Sequence, residues 1–167
     1  MSNLKSYGVI HQNNPKNEIE INCESFQRKG FALISSGYED DKLEEITNCF
    51  EETKKMYSVK YSKNISEIES IRGLFFFHRV FLDLAQNKKL NKLLKALFDG
   101  AFMLNQQNGL INSPNTIYEQ SRWHRDLPYQ HFVSSKNIAI NVIFCIDSFD
   151  KNNGASFVLP YSHLFED

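Results

Sequence analysis

His124 and Asp126 stand two residues apart in the run Arg122-Trp123-His124-Arg125-Asp126-Leu127-Pro128. On an extended chain, side chains at i and i+2 point to the same side. One imidazole and one carboxylate can therefore converge on a common ion. With a second histidine from elsewhere they make a 2-His-1-carboxylate facial triad. That triad leaves three adjacent positions open on Fe(II), enough for a bidentate co-substrate and O2. Zinc prefers a closed set of four ligands, or three ligands and a water. A His-x-Asp pair is a weak signal by itself. It also reads as an ordinary strand end, with His124 solvated and Asp126 capping the turn before Pro128. If 116–126 is a regular strand, Tyr118, Gln120 and Arg122 share the face of the pair and line a pocket mouth for substrate. Arg122 and Arg125 read equally well as solvated side chains. Trp123 points the other way, which predicts core packing.

The elements that must position this run change character near Gly100. The first 22 residues read as an irregular polar lead, including His11-Gln-Asn-Asn-Pro15. A short helix is expected at 23–29, stopped by Gly30 as a C-cap. Phe31–Ser35 reads as a strand. Asp41, with Glu44 three residues on, resembles a capping box. Leu43, Ile46, Phe50 and Tyr57 then follow at helical spacing, predicting a helix over 41–57. Within 58–79, the apolar run Leu74-Phe-Phe-Phe77-His78 fits either a strand or the approach to a helix. Leu90, Leu93, Leu94, Leu97 and Phe98 mark a helix over 88–99, closed by Gly100. These apolar stripes are core, not a cofactor box.

After Gly100 the period shortens to that of strands. Ala101–Asn105, Thr116–Trp123, Ile138–Ile146 and Ser156–Leu159 are expected as strands, separated by Asn-Gly, Ser-Pro and Asn-Asn-Gly breakers. Ile138, Ile140, Val142, Phe144 and Ile146 share one face of the third, which predicts a fully buried face. The plan is α+β in one domain: the lead 1–22, helical support over 23–100, and sheet over 101–167.

Composition sets the outer limits. Nineteen Lys+Arg against 20 Asp+Glu leave a net charge of −1, which excludes the positive field of a general nucleic-acid binder. Fourteen Phe and 7 Tyr in a chain that is 41% hydrophobic exclude a disordered acidic chain. No run of bilayer length and no signal-peptide h-region is present, so no membrane partner is expected and a cytoplasmic address is. Cys23, Cys49 and Cys145 are too scattered for a metal knuckle and odd in number. They are expected to be reduced, two on helices and one in a strand.

Downstream of the pair stands Asp150-Lys-Asn-Asn153-Gly154-Ala-Ser-Phe-Val-Leu-Pro160-Tyr161-Ser162-His163. Asn153-Gly154 supplies a positive-φ hairpin turn, and Pro160 ends a strand. In order and spacing, His124/Asp126, the apolar run 138–146 with Asp147, Asn153-Gly154 and Pro160-x-Ser162-His163 resemble the phytanoyl-CoA dioxygenase family. Phe26-x-x-x-Gly30-Phe31-Ala-Leu-Ile34 resembles its opening segment. The resemblance implies a double-stranded β-helix (a cupin-like jelly roll) and Fe(II)- and 2-oxoglutarate-dependent hydroxylation of a small organic substrate. It implies His124 and Asp126 as iron ligands.

Two departures qualify that expectation. Tyr161 stands where the family has Gly, so a different turn is expected after Pro160. In the family, a second iron-binding His and a 2-oxoglutarate-binding Arg lie well beyond the Pro-Gly-Ser-His block. Here Arg28, Arg72, Arg79, Arg122 and Arg125 all precede it. His163, His131 and His78 remain as candidates for the third ligand. About five strands are readable against the roughly eight of a jelly roll. The sheet is therefore expected to be incomplete, and the chain to be a fragment, a decayed copy or half of a two-chain enzyme, inactive by itself. Open sheet edges would invite self-association or a completing chain. The competing readings are a non-catalytic jelly-roll module that binds a small molecule or a protein, and a two-ligand metal protein without oxygenase activity.

Overall fold

The computed structural model describes residue 15 and residues 17–61, 70–113, 122–126 and 133–165. Four helices carry most of its regular structure. The first, α1, spans Glu18–Lys29, five residues ahead of the expected start. Its N-cap Asn17 explains the difference, because the side-chain oxygen accepts from the amides of Ile19 and Glu20, both at 3.0 Å. Glu20 closes the box by accepting from Asn17 Nδ2 at 2.9 Å. Gly30 ends α1 at φ 87°, and its N–H donates to Phe26 O at 2.8 Å. This is the left-handed cap expected of a glycine there.

The second helix, α2, runs Asp40–Tyr61. Ile46 and Tyr57 are buried on its inner stripe, as their spacing predicts, and Thr53 lies fully buried between them. Thr53 Oγ1 needs no outside partner, since it donates to Cys49 O at 2.7 Å. A 3-10 turn at Leu74–Phe76 leads into α3 (Arg79–Ala85). Asn87 then caps α4 (Lys88–Phe98), accepting from Leu90 N at 2.9 Å. Its amide also donates to Ser36 O at 2.9 Å, which ties the α1–α2 connection to this cap. Leu90, Leu93 and Leu97 form the buried stripe of α4, which packs on α1.

One sheet is present among the described residues. β1 (Ser70–Arg72) pairs antiparallel with β2 (Asn108–Leu110), with Ile71 opposite Gly109. Ile71 joins Ile46, Tyr57, Leu74, Val80, Phe81 and Leu84 in the core, and Phe50, Phe77, Ile111, Phe144 and Ile146 pack against that cluster. Phe81 is fully buried at the centre, a contribution of about 2–3 kcal/mol by transfer of its surface alone. Asn108-Gly109, read from the sequence as a breaker, lies inside β2. Glycine stands there for lack of room: a Cβ would sit 2.5 Å from Phe50 Cε2 and 3.2 Å from Leu74 Cδ2.

The class is α+β, as expected, but the strand assignments differ. Phe31–Ser35, Ala101–Asn105, Ile138–Ile146 and Ser156–Leu159 form no strand, and residues 116–121 of the expected strand Thr116–Trp123 lie outside the described residues. A strand exists only when a neighbour takes its ladder bonds. Among the described residues no backbone–backbone hydrogen bond reaches 138–146. The expected buried face of that run is correspondingly open: Ile138 is 54% and Val142 40% exposed, and only its end, Phe144 and Ile146, packs on the core. The described residues thus contain no jelly roll. Cys23 and Cys49 lie half-buried on α1 and α2, and Cys145 is exposed; all three are free thiols. Burial pushes both helical thiols up, helped by Glu20 beside Cys23 and by Glu45 and Glu52 beside Cys49.

Candidate metal centre

The segment 122–126 presents His124 and Asp126 on one side. His124 Nε2 lies 3.6 Å from Asp126 Oδ1, and both side chains are at least half exposed. The other imidazole nitrogen is engaged, because Nδ1–H donates to Arg122 O at 2.7 Å. That bond uses Nδ1, and Nε2 is the nitrogen that faces the carboxylate. The far carboxylate oxygen, Oδ2, accepts from Asn141 Nδ2 at 2.5 Å. Each group therefore has one atom held by the protein and one directed at the other.

This arrangement suits two ligands of a metal ion. With bonds of about 2.1 Å, cis ligands lie about 3.0 Å apart at a right angle and about 3.4 Å apart at a tetrahedral angle. The observed separation is within a few tenths of an ångström of that range. Backbone and amide partners behind a ligating His and carboxylate are the usual outer layer of such sites, fixing tautomer and direction. Among the described residues, no third His, Cys, Asp or Glu joins the two.

The remaining sequence candidates separate. Tyr118, Gln120 and His131 lie outside the described residues. Arg122 is exposed and contributes its carbonyl to His124. His163 is committed elsewhere: its Nε2–H donates to Gln27 O at 2.9 Å, and its ring lies against Gly30. His78 belongs to the helical layer, 3.4 Å from Glu52 Oε2 and edge-on to Phe81. Trp123, expected in the core, is 72% exposed.

Asn141 and the anchoring of Arg125 were not legible beforehand. Asn141 is 15 residues from Asp126, and nothing local marks it as that carboxylate's partner. Arg125 is half-buried rather than solvated, and its Nη2 donates to Ser162 O at 3.1 Å and to Phe165 O. Tyr161, which precedes Ser162, adopts φ 68°. The tyrosine thus keeps the left-handed backbone that a glycine takes freely, where the sequence predicts a different turn. Asn153-Gly154 does form a turn, with Gly154 at φ 87°, but no strands flank it.

A separate cleft of about 520 Å³ opens between α1 and α4, lined by Ile19, Ile34, Leu93 and Lys88, Lys89 and Lys92 among others. It includes neither His124 nor Asp126. No helix among the described residues is long and apolar enough to cross a membrane.

No curated protein and no solved structure matches the chain. The family model for phytanoyl-CoA dioxygenase matches residues 26–167, a span that contains the His124/Asp126 pair, the Asn153-Gly154 turn and the Tyr161–His163 segment. With most of its length covered in this way, the chain belongs to the phytanoyl-CoA dioxygenase family.

Proposed function

We propose that this protein is an Fe(II)- and 2-oxoglutarate-dependent oxygenase that hydroxylates a small organic substrate, with His124 and Asp126 as two of the iron ligands. Family membership supports the reaction class. The observation that carries the assignment to residues is the approach of His124 Nε2 to Asp126 Oδ1 at 3.6 Å, with the outer atom of each group already held. A metal bound there supplies oxidation of a C–H bond at the expense of O2 and 2-oxoglutarate, giving the alcohol, succinate and CO2.

The protein's own share is placement. In the neutral imidazole the Arg122 carbonyl selects the tautomer with its proton on Nδ1, which makes Nε2 the nitrogen that would bind a metal. Asn141 turns the Asp126 carboxylate so that Oδ1 faces the same point. Asp126 also brings one negative charge to offset part of the ion's charge. In this reading the pair belongs to a cupin-like double-stranded β-helix, the fold that family membership implies.

The test is an anaerobic titration with Fe(II), with and without 2-oxoglutarate. An absorption band that needs both, and that His124→Ala abolishes, supports the proposal. Metal binding indifferent to 2-oxoglutarate reduces the site to a two-ligand metal site. A second reading, a non-catalytic jelly-roll module that binds a small molecule or a protein, is favoured by the absence of a third donor among the described residues. Failure of the protein to bind metal at all selects it.

A further inference from the structure

We infer that Arg125 is a positioning residue for the metal-binding pair, fastening the segment that carries both groups to the 161–165 turn and, through that turn, to the end of α1. The inference rests on the assignment of His124 and Asp126 as ligands.

Arg125 lies between the two groups in sequence. Its guanidinium has no electron pair to offer an ion that they share. It reaches the 161–165 turn instead. Nη2 donates to Ser162 O at 3.1 Å and also to Phe165 O. These two carbonyls bracket the 3-10 turn Ser162–Leu164. Ser162 O already accepts from Phe165 N–H and has a second lone pair for the cation, and a hydrogen bond from a charged donor is the stronger kind.

The turn is itself held from the other side. Tyr161 N–H donates to Lys29 O at 2.9 Å, and His163 Nε2–H donates to Gln27 O at 2.9 Å. Both acceptors belong to the last turn of α1, whose final carbonyls have no intrahelical donors. His163 also fits against Gly30 so closely that a Cβ there would stand 2.6 Å from its Nδ1. A continuous line of contacts therefore runs from the α1 C-terminus through 161–163 and Arg125 to His124 and Asp126. Its links join residues 37 to 136 positions apart in sequence, so only the folded chain assembles it. A single terminal nitrogen, Nη2, makes both bonds, one through each of its hydrogens, so a cationic head with at least two donors on one nitrogen is what the link needs.

The experiment compares wild type, Arg125→Ala, Arg125→Lys and His124→Ala in the full chain. Mn(II) binding is followed by quenching of Trp123, the single tryptophan and the neighbour of His124. Backbone amide exchange is read at Leu164 and Phe165, whose N–H groups donate to Tyr161 O and Ser162 O. Outer-layer residues of metal sites change affinity by about 10- to 100-fold. Arg125→Ala is expected to weaken Mn(II) binding by about that factor and to speed exchange at both amides. Arg125→Lys, which keeps a cationic donor, is expected to recover most of the affinity. His124→Ala is expected to abolish binding while leaving the two amides as protected as in wild type.

Mn(II) binding within about twofold of wild type in Arg125→Ala overturns the inference, provided His124→Ala abolishes binding. Equal affinity loss in Arg125→Lys and Arg125→Ala overturns it as well. If wild type binds no Mn(II), the assignment of the ligands has failed instead. The clamp between 125 and 161–165 is then still judged by amide exchange, and unchanged exchange in Arg125→Ala refutes it. Far-UV circular dichroism identifies a variant that fails to fold, in which case Arg125→Lys decides by the same two readouts.

Discussion

Gly30→Ala tests the contact that docks the 161–165 turn on α1. Gly30 holds φ 87°, a conformation that costs an alanine about 1–2 kcal/mol. The new methyl would also stand 2.6 Å from His163 Nδ1 and 3.2 Å from Cγ. The ring cannot stay, and its withdrawal breaks the Nε2–H bond to Gln27 O, worth about 0.5–1.5 kcal/mol. Against this, alanine narrows the unfolded ensemble and returns about 0.4–1 kcal/mol. The net expected loss is about 2 kcal/mol, or about 4–8 °C in Tm for a chain of this size. Urea unfolding followed by far-UV circular dichroism measures it. A double-mutant cycle with His163→Ala separates the causes. Without the ring, Gly30→Ala keeps only its backbone cost, so the two changes should couple by about 1 kcal/mol. A loss below about 0.5 kcal/mol, or additivity within about 0.5 kcal/mol, would refute the packing of His163 on Gly30.

Three further outcomes are expected. Tyr161→Gly, at φ 68° on an exposed side chain, should stabilise the protein by roughly 0.5–1 kcal/mol, because relief of left-handed strain exceeds the entropy glycine adds to the unfolded chain; a lower urea midpoint would contradict it. Gly109→Ala should cost about 1–3 kcal/mol by overpacking against Phe50 and Leu74, and Phe50→Leu in the same chain should recover part of it by moving atoms away from the new methyl; no recovery would argue against that close approach. Maleimide labelling of the folded protein at pH 7 should modify the exposed Cys145 first, with Cys23 and Cys49 slow because burial raises both thiols and depletes their thiolates; peptide mapping showing Cys49 first would count against α2 packing as described.

Local signals explain which elements were readable. The Gly30 cap acts within four residues, and the leucine stripe of 90, 93 and 97 needs only the helical period. By contrast, β1 meets β2 across about forty residues, and the glycine of β2 answers to a Phe50 ring on another element rather than to a turn. Four runs with strand-like composition form no ladder among the described residues, because alternation advertises a face and says nothing of a neighbour.

The chain's own order of residues determined that α1, α2 and α4 are helices and that Gly30 ends the first. Hydrogen bonds within a turn and the helical period of the backbone suffice for both. Tertiary structure alone decided that Asn141 holds the Asp126 carboxylate and that Arg125 grips the 161–165 turn. It also committed His163 to α1 instead of the pair. Each of these contacts joins segments at least 15 residues apart, and donors and acceptors carry no mark of the partner that folding will bring to them.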